Sequence, residues 1–347
     1  MMPEDLDPSS LYLFVFGPGF GESIAVRVPP DRWIVIDSCY VGGRAAALHV
    51  LPRYGGRLEC VVLTHRHQDH YPGFSSVIDY GEWPIIGCND LSLDDSFAGS
   101  RDLEFRLAGE LEQALSAIRE RWLDNDGCIW WTWQDSTRDV GDAELTALHP
   151  REEFARNFAG PDDNELSSAI LLTWQKTRLL LGADVPNPHW ADICERFPLL
   201  GNHQAMKTPH HGSDEALHDG ILQGTRERLW IVTPYSRGKK LPRFGDGKAV
   251  HRMLRHVDVV YLTGLPSSHD QQMGSPCEAT RQELNANSSP RPVVFSLPGG
   301  IQGTVDPVRS DLSCYVVARF DGAGRGEITS CGPGTVRVTE ASESANA

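Results

Sequence analysis

Residues 61–70 read VVLTHRHQDH, an apolar run that ends in three imidazoles and a carboxylate within six positions. A β-branched apolar run of this kind reads as a buried strand, so the polar cluster hangs from a strand end. Side chains two apart on an extended segment point the same way. His65 and His67 can therefore close on one metal ion, while Asp69 and His70 lie just beyond and can face a second position. The chain has 13 histidines among 347 residues, too few to expect three in six positions by accident. The cluster reads as metal ligands rather than as a solvated loop.

These four residues do not complete a site for two ions, one of whose ligands should bridge. RLLLGAD (178–184) places Asp184 at the end of an apolar strand, where an isolated carboxylate is costly unless paired or bound to metal. MKTPHHGSD (206–214) then brings His210 and His211 directly before Gly212 and Ser213. The order is HxHxDH, a strand-end Asp, and a His before Gly-Ser. Together these define a candidate dinuclear centre.

The rest of the chain alternates strand and helix signals. LYLFVFG (11–17), SIAVRV (23–28) and WIVIDS (33–38) read as strands, and the GPGFGES turn leads into no helix, which argues against a dinucleotide loop. A helix is expected at 45–55 and a strand at 58–65. Leu107, Leu111, Leu115, Ile118 and Trp122 carry the spacing of one amphipathic helix over 103–123. Trp130, Trp131 and Trp133 follow; core or helix-covering packing is expected of them, with a lid or a partner surface as the alternative. A strand at 144–150, a hairpin at 169–184, strands at 228–236 and 257–264 around a helix at 246–256, and a polar loop at 265–292 come next. The last 55 residues alternate in the β manner, and a disordered tail is expected at the end.

Hydrophobic residues make up 40% and charged residues 23%, an ordinary globular balance. No apolar run is long enough to span a bilayer, and MMPEDLDPSS lacks the features of a signal peptide, so a cytoplasmic location with no membrane contact is expected. The eight cysteines stand singly and read as buried thiols. A net charge of −15 disfavours a general nucleic-acid coat protein while leaving room for a local basic patch.

THRHQDH resembles the T-H-x-H-x-D-H signature of the metallo-β-lactamase superfamily. More narrowly, the chain is similar to the soluble metallo-β-lactamase-type domain of ComEC, the DNA-uptake protein, and its stand-alone relatives. The shared features are the glycine-rich turn VFGPGFGES, Asp37 closing an early strand, Asn164 and Ser167 before the hairpin, Gly182-Ala183-Asp184, and Pro209 to Ser213. The resemblance implies an α/β fold of the αββα type, two mixed sheets face to face with helices outside and the metals at one edge. It covers a domain at 10–264, with a helical, Trp-rich insertion at about 95–135. A loop and β-rich extension at 265–338 and a tail at 339–347 complete the expected organisation. The ligands it implies are His65, His67, Asp69, His70, Asp184 and His211, with Asn164 or His149 near the third-ligand slot. Asp37 would order the histidine loop, and His210 would sit behind the ligands or contact the leaving group.

The expected chemistry is hydrolysis by a water activated between two Zn2+ or Mn2+ ions that share Asp184, with Asp69, Asp184 and His210 as the catalytic residues. Arg237, Lys239, Lys240, Arg243 and Lys248 face a single Asp246 in SRGKKLPRFGDGK (236–248), a basic rim suited to phosphate. A phosphodiesterase of nuclease type is the leading expectation. Small phosphoester hydrolysis and lactone, thioester or amide hydrolysis are the alternatives. A further one is a regulatory module that binds a protein partner through the 95–135 segment or the C-terminal extension.

Overall fold

The computed structural model describes residues 2–17, 20–89, 105–124, 126–158, 160, 162–235, 241–264, 293–305, 314–332 and 335–340. The N-terminal strands are β1 (Leu11–Phe16), β2 (Ser23–Val28), β3 (Arg32–Ile36), the short pair β4 (Tyr40–Val41) and β5 (Arg44–Ala45), β6 (Arg57–Val62), β7 (Ile85–Cys88) and β8 (Ile129–Trp131). The central ones are β9 (Thr137–Val140), β10 (Ala143–Ala147), β11 (Ile170–Trp174), β12 (Thr177–Leu181), β13 (Ala205–Lys207), β14 (Leu229–Val232) and β15 (Val260–Leu262). The last are β16 (Val293–Leu297), β17 (Ile301–Val305), β18 (Tyr315–Phe320), β19 (Gly326–Cys331) and β20 (Val336–Glu340). The α-helices are α1 (Leu51–Tyr54), α2 (Phe74–Tyr80), α3 (Phe105–Asp124), α4 (Glu152–Asn157), α5 (Asn187–Arg196), α6 (Asp219–Leu222) and α7 (Ala249–Leu254).

Two mixed sheets form, in the orders β19-β18-β1-β2-β3-β6-β7-β8 and β16-β17-β20-β15-β14-β13-β12-β11-β10-β9. The two-residue period of a strand explains how they stack. Leu11, Leu13 and Val15 of β1 meet Leu179 and Leu181 of β12 in the core between the sheets. Phe14 and Phe16 point the other way, toward Leu51 of α1, Phe74, Val77 and Ile78 of α2, and Leu111, Leu115 and Ile118 of α3. On the far side, Leu180, Met206 and Trp230 pack beneath Trp190 and Ile193 of α5, Ile221 of α6 and Met253 of α7. Three apolar layers separate four layers of structure, and this is the expected αββα sandwich.

β3, β6, β7 and β8 run parallel, as do β12, β13, β14 and β15. Helices return the chain between them, so their C-terminal ends gather at one edge. α3 is the crossover from β7 to β8, and the stretch read as an insertion thereby ends in an edge strand of the first sheet. Trp130 is buried between the sheets, and Trp131 meets Trp122 edge-on at 5.6 Å.

The segment read as an extension supplies strands to both sheets. β18 pairs with β1, and β20 lies between β15 and β17. β20 runs to Glu340, so the expected tail begins two residues too early: Thr339 and Glu340 pair with Gln302 and Ile301. Over 45–55, one 3-10 turn and one α turn replace the expected longer helix, with Pro52 in the first turn of α1. Leu107 and the 265–292 loop lie outside the residues whose side chains or backbone are described. No described helix is long and apolar enough to cross a membrane.

Candidate metal centre

The C-terminal ends of the parallel strands deliver the donors. β6 ends in Thr64–His70, β12 in Asp184 and β13 in His210–His211. The rings of His65 and His67 are 4.7 Å apart, and these two residues and Asp184 bring donor atoms within 4.8 Å of one another. His70 Nε2 and His211 Nε2 each lie 3.6 Å from Asp184 Oδ2. Asp69 Oδ2 is 3.6 Å from His70 Nε2 and 2.9 Å from His211 Nε2. Asp184 thus stands between two donor groups, His65 and His67 on one side and Asp69, His70 and His211 on the other. The fit to metal is visible in what the fold leaves open: His65 Nε2, His70 Nε2 and Asp184 Oδ1 are buried with no hydrogen-bond partner. Burying polar atoms unpaired is costly unless something else binds them.

The opposite nitrogens are anchored. Asp37, at a left-handed φ of 55°, accepts from the Thr64 N–H at 2.8 Å and the Thr64 hydroxyl at 2.7 Å, and its Oδ2 pairs with His70 Nδ1 at 2.7 Å. His211 Nδ1 lies 2.9 Å from the Thr233 carbonyl, which fixes Nδ1 as the proton-bearing nitrogen and leaves Nε2 for the centre. Ser167 Oγ accepts from the Asp184 N–H at 2.9 Å and lies 3.2 Å from His65 Nδ1. His210 and His211 both adopt left-handed backbone (φ 44° and 53°), a strained turn that aims one ring inward and the other beside the centre. His210 Nε2 is 3.9 Å from Asp184 Oδ2, and its side chain is 22% exposed.

The charges are arranged for cations. Burial alone would raise the Asp184 carboxyl, but His211 and His70 hold it well below the carboxylate range. Burial, then the neighbouring His70 and His67, pushes His65 well down, so its imidazole is a neutral donor. For His70, burial is outweighed by Asp37, Asp69 and Asp184, which push it well up in the metal-free protein. The cations would replace protons that the carboxylates now attract.

Two functional residues escaped the sequence reading. Glu22 and Lys207 are 1% and 0% exposed and form a buried ion pair. Glu22 also accepts from the Thr233 hydroxyl at 2.8 Å, and Lys207 Nζ sits 3.9 Å from Asp184 Oδ1. Glu22 groups spatially with His70, Asp184 and His211. It faces their Nδ1 atoms, at 3.9 Å from His70 and 3.6 Å from His211, so it lies behind the donors. Gly21 makes the approach: at φ 93°, a Cβ there would meet Cys39 Cβ at 2.6 Å. A charged pair split between residues 22 and 207 leaves no local pattern. The one available signal was a lysine inside an otherwise apolar strand end.

Other expected residues fall elsewhere. His149 is not grouped with the donors: its Nδ1 lies 2.9 Å from the Ser167 carbonyl and its ring 4.4 Å from that of His189. Asn164 is buried beside Ser167, with Oδ1 unpartnered. Arg243 is exposed, and Lys248 pairs with Asp214 at 3.3 Å. Arg237, Lys239 and Lys240 lie outside the described residues.

No protein-family model matches the chain, and no curated protein matches it. Among solved structures it is similar to the diiron β-hydroxylase CmlA of Streptomyces venezuelae, at 15% identity over 59% of this chain and 35% of that one, with a TM-score of 0.36. It is similar to the metallo-β-lactamase fold protein YhfI of Bacillus subtilis, at 14% identity over 57% and 70%, with a TM-score of 0.33. A metallo-β-lactamase of Staphylococcus aureus aligns at 13% identity over 61% and 58%, with a TM-score of 0.37. The chain thus spans little more than a third of CmlA. The overlap is slight, and the site stands on its own geometry.

Proposed function

We propose that the protein is a metal-dependent hydrolase of the metallo-β-lactamase superfamily that cleaves phosphodiesters, with a nucleic acid as the leading substrate. The observation that carries this reading is the convergence of His65, His67, Asp69, His70, Asp184 and His211 on adjoining positions with buried donor atoms left unpaired. Two divalent cations held there would acidify a shared water and polarise the bond it attacks. Asp184 would hold both positions in register, and Asp37 and Thr233 keep the imidazoles turned inward. His210, partly exposed beside Asp184, is placed to donate a hydrogen bond to a leaving oxygen.

The phosphodiester preference is supported by where the basic segment is rooted. Its stems, Tyr235 and Leu241, exchange backbone hydrogen bonds at 2.9 Å. The Tyr235 ring stacks on His211 at 5.1 Å. Tyr235, the residue directly before the segment that carries Arg237, Lys239 and Lys240, therefore lies beside a proposed metal ligand. The test is turnover of bis-p-nitrophenyl phosphate, p-nitrophenyl phosphate and a lactone with Zn2+ or Mn2+ added. Diester cleavage lost in Asp184→Asn is expected. Lactone or monoester turnover alone would replace this reading with the corresponding hydrolase.

A further inference from the structure

A cavity of about 600 Å³ opens at the end of the sandwich opposite the metal centre, where β13 and β14 begin. Its wall includes His203, Gly224, Glu227 and Arg228 from the segments before those strands, and Arg325 from the β18–β19 turn. Arg228 is only 7% exposed. Its single hydrogen bond runs from Nη1 to the Gln223 carbonyl, and it forms no ion pair with any described residue. Arg325 is already paired with Asp321 at 2.7 Å. Burial pulls the Arg228 guanidinium down from its ordinary range, and Glu227, on the same wall, forms no ion pair with it.

The surroundings hold this cation in place without neutralising it. Gly224 sits at φ 128°, and a Cβ there would fall 1.1 Å from Arg228 Nη2, so the glycine vacates the space the guanidinium fills. His203 cannot supply an anion. Its Nδ1 faces the Leu200 carbonyl at 3.0 Å, and its Nε2 accepts from the Trp230 indole at 3.1 Å. Beyond the bond from Nη1, the Arg228 guanidinium makes no hydrogen bond to a described residue, and a guanidinium is a fork that can take two oxygens of a carboxylate or phosphate. A buried guanidinium with no ion pair among the described residues, on the wall of a cavity large enough for a metabolite, lacks one component. We infer that this cavity binds a small organic oxyanion, a carboxylate or a phosphate ester, on Arg228. The site is separate from the metal centre and does not rest on the hydrolase reading.

The test is calorimetric titration of the full chain with inorganic phosphate and, separately, with acetate. It uses the Asp184→Asn background freed of divalent cations, so that anions at the metal centre are not counted. Saturable one-to-one binding of at least one probe is expected, weakened at least tenfold by Arg228→Gln. Without any probe, Arg228→Gln and Arg228→Met should melt no lower than the parent, since each removes an unpaired buried charge. In an otherwise unaltered chain, Arg228→Gln should keep its metal content. The inference is overturned if neither anion saturates, if Arg228→Gln binds as well as the parent, or if both substitutions lower the melting temperature without a probe. Which probe binds separates a carboxylate ligand from a phosphate one.

Discussion

Lys207 is a fully buried ammonium that pairs with Glu22, donates to the Ala183 carbonyl at 3.3 Å and lies near Asp184. Removing one member of a buried pair strands the other, at a cost of about 3–5 kcal/mol. Lys207→Met should therefore unfold far more readily than the parent in urea. The Glu22→Gln/Lys207→Met double substitution should recover much of the loss. Additive losses would mean that the two residues act independently. A second residue-scale prediction concerns acid. Burial pushes His203 and His149 down from 6.5 to about 3, so both stay neutral in the folded chain. The unfolded chain takes up protons from pH 6.5 downward while the folded chain does not until near 3, so stability falls across that window. Each histidine should cost about 1 kcal/mol per pH unit. His203→Gln should flatten the slope between pH 6 and 4; an unchanged slope would show that His203 is not the group excluding the proton. At this scale the sequence was informative where donors sit close together, as in His65–His70. It was silent where the partners are 185 positions apart, as with Glu22 and Lys207.

At the scale of elements, the strands legible from apolar runs are those buried along most of their length, such as β1, β6 and β12. Their apolar positions admit one reading, and only the pairing partner is left open. Pairing is a long-range property, and so the role of the C-terminal strands was not legible. β18 covers β1 along its whole length, Leu11 opposite Phe320 to Phe16 opposite Tyr315. β20 covers β15. A chain ending at residue 264 would lose both and expose two sheet edges together with the apolar faces beneath Tyr315 and Val338. Such a truncation should be insoluble or lack cooperative unfolding; a soluble, metal-binding fragment would show that the two sheets are self-sufficient without it. α3 is bound into the first sheet's helical layer in a comparable way. Glu110 accepts from the Tyr40 hydroxyl at 2.8 Å and from the Gly73 N–H at 3.2 Å, just past the histidine loop. Limited proteolysis should therefore release no stable fragment from 105–131.

For the whole molecule, the two ends of the parallel strands have opposite characters. Their C-terminal ends gather carboxylates and imidazoles, and the opposite end holds a guanidinium with no ion pair among the described residues. The net charge of −15 makes the basic segment 236–248 a local exception in the sequence, on which the nucleic-acid proposal depends. If that loop grips a phosphate backbone, Lys239→Ala/Lys240→Ala should flatten the salt dependence of nucleic-acid binding by roughly one log–log unit per lost contact on duplex DNA. Turnover of a small diester should hold. The hydrolase and nucleic-acid proposals both rest on the metal centre, and metal content tests it most directly. After reconstitution with zinc or manganese and removal of excess, elemental analysis should find two equivalents per chain, falling sharply in Asp184→Asn, which removes the shared donor. An ordered, cooperatively unfolding chain that retains no metal would contradict the account.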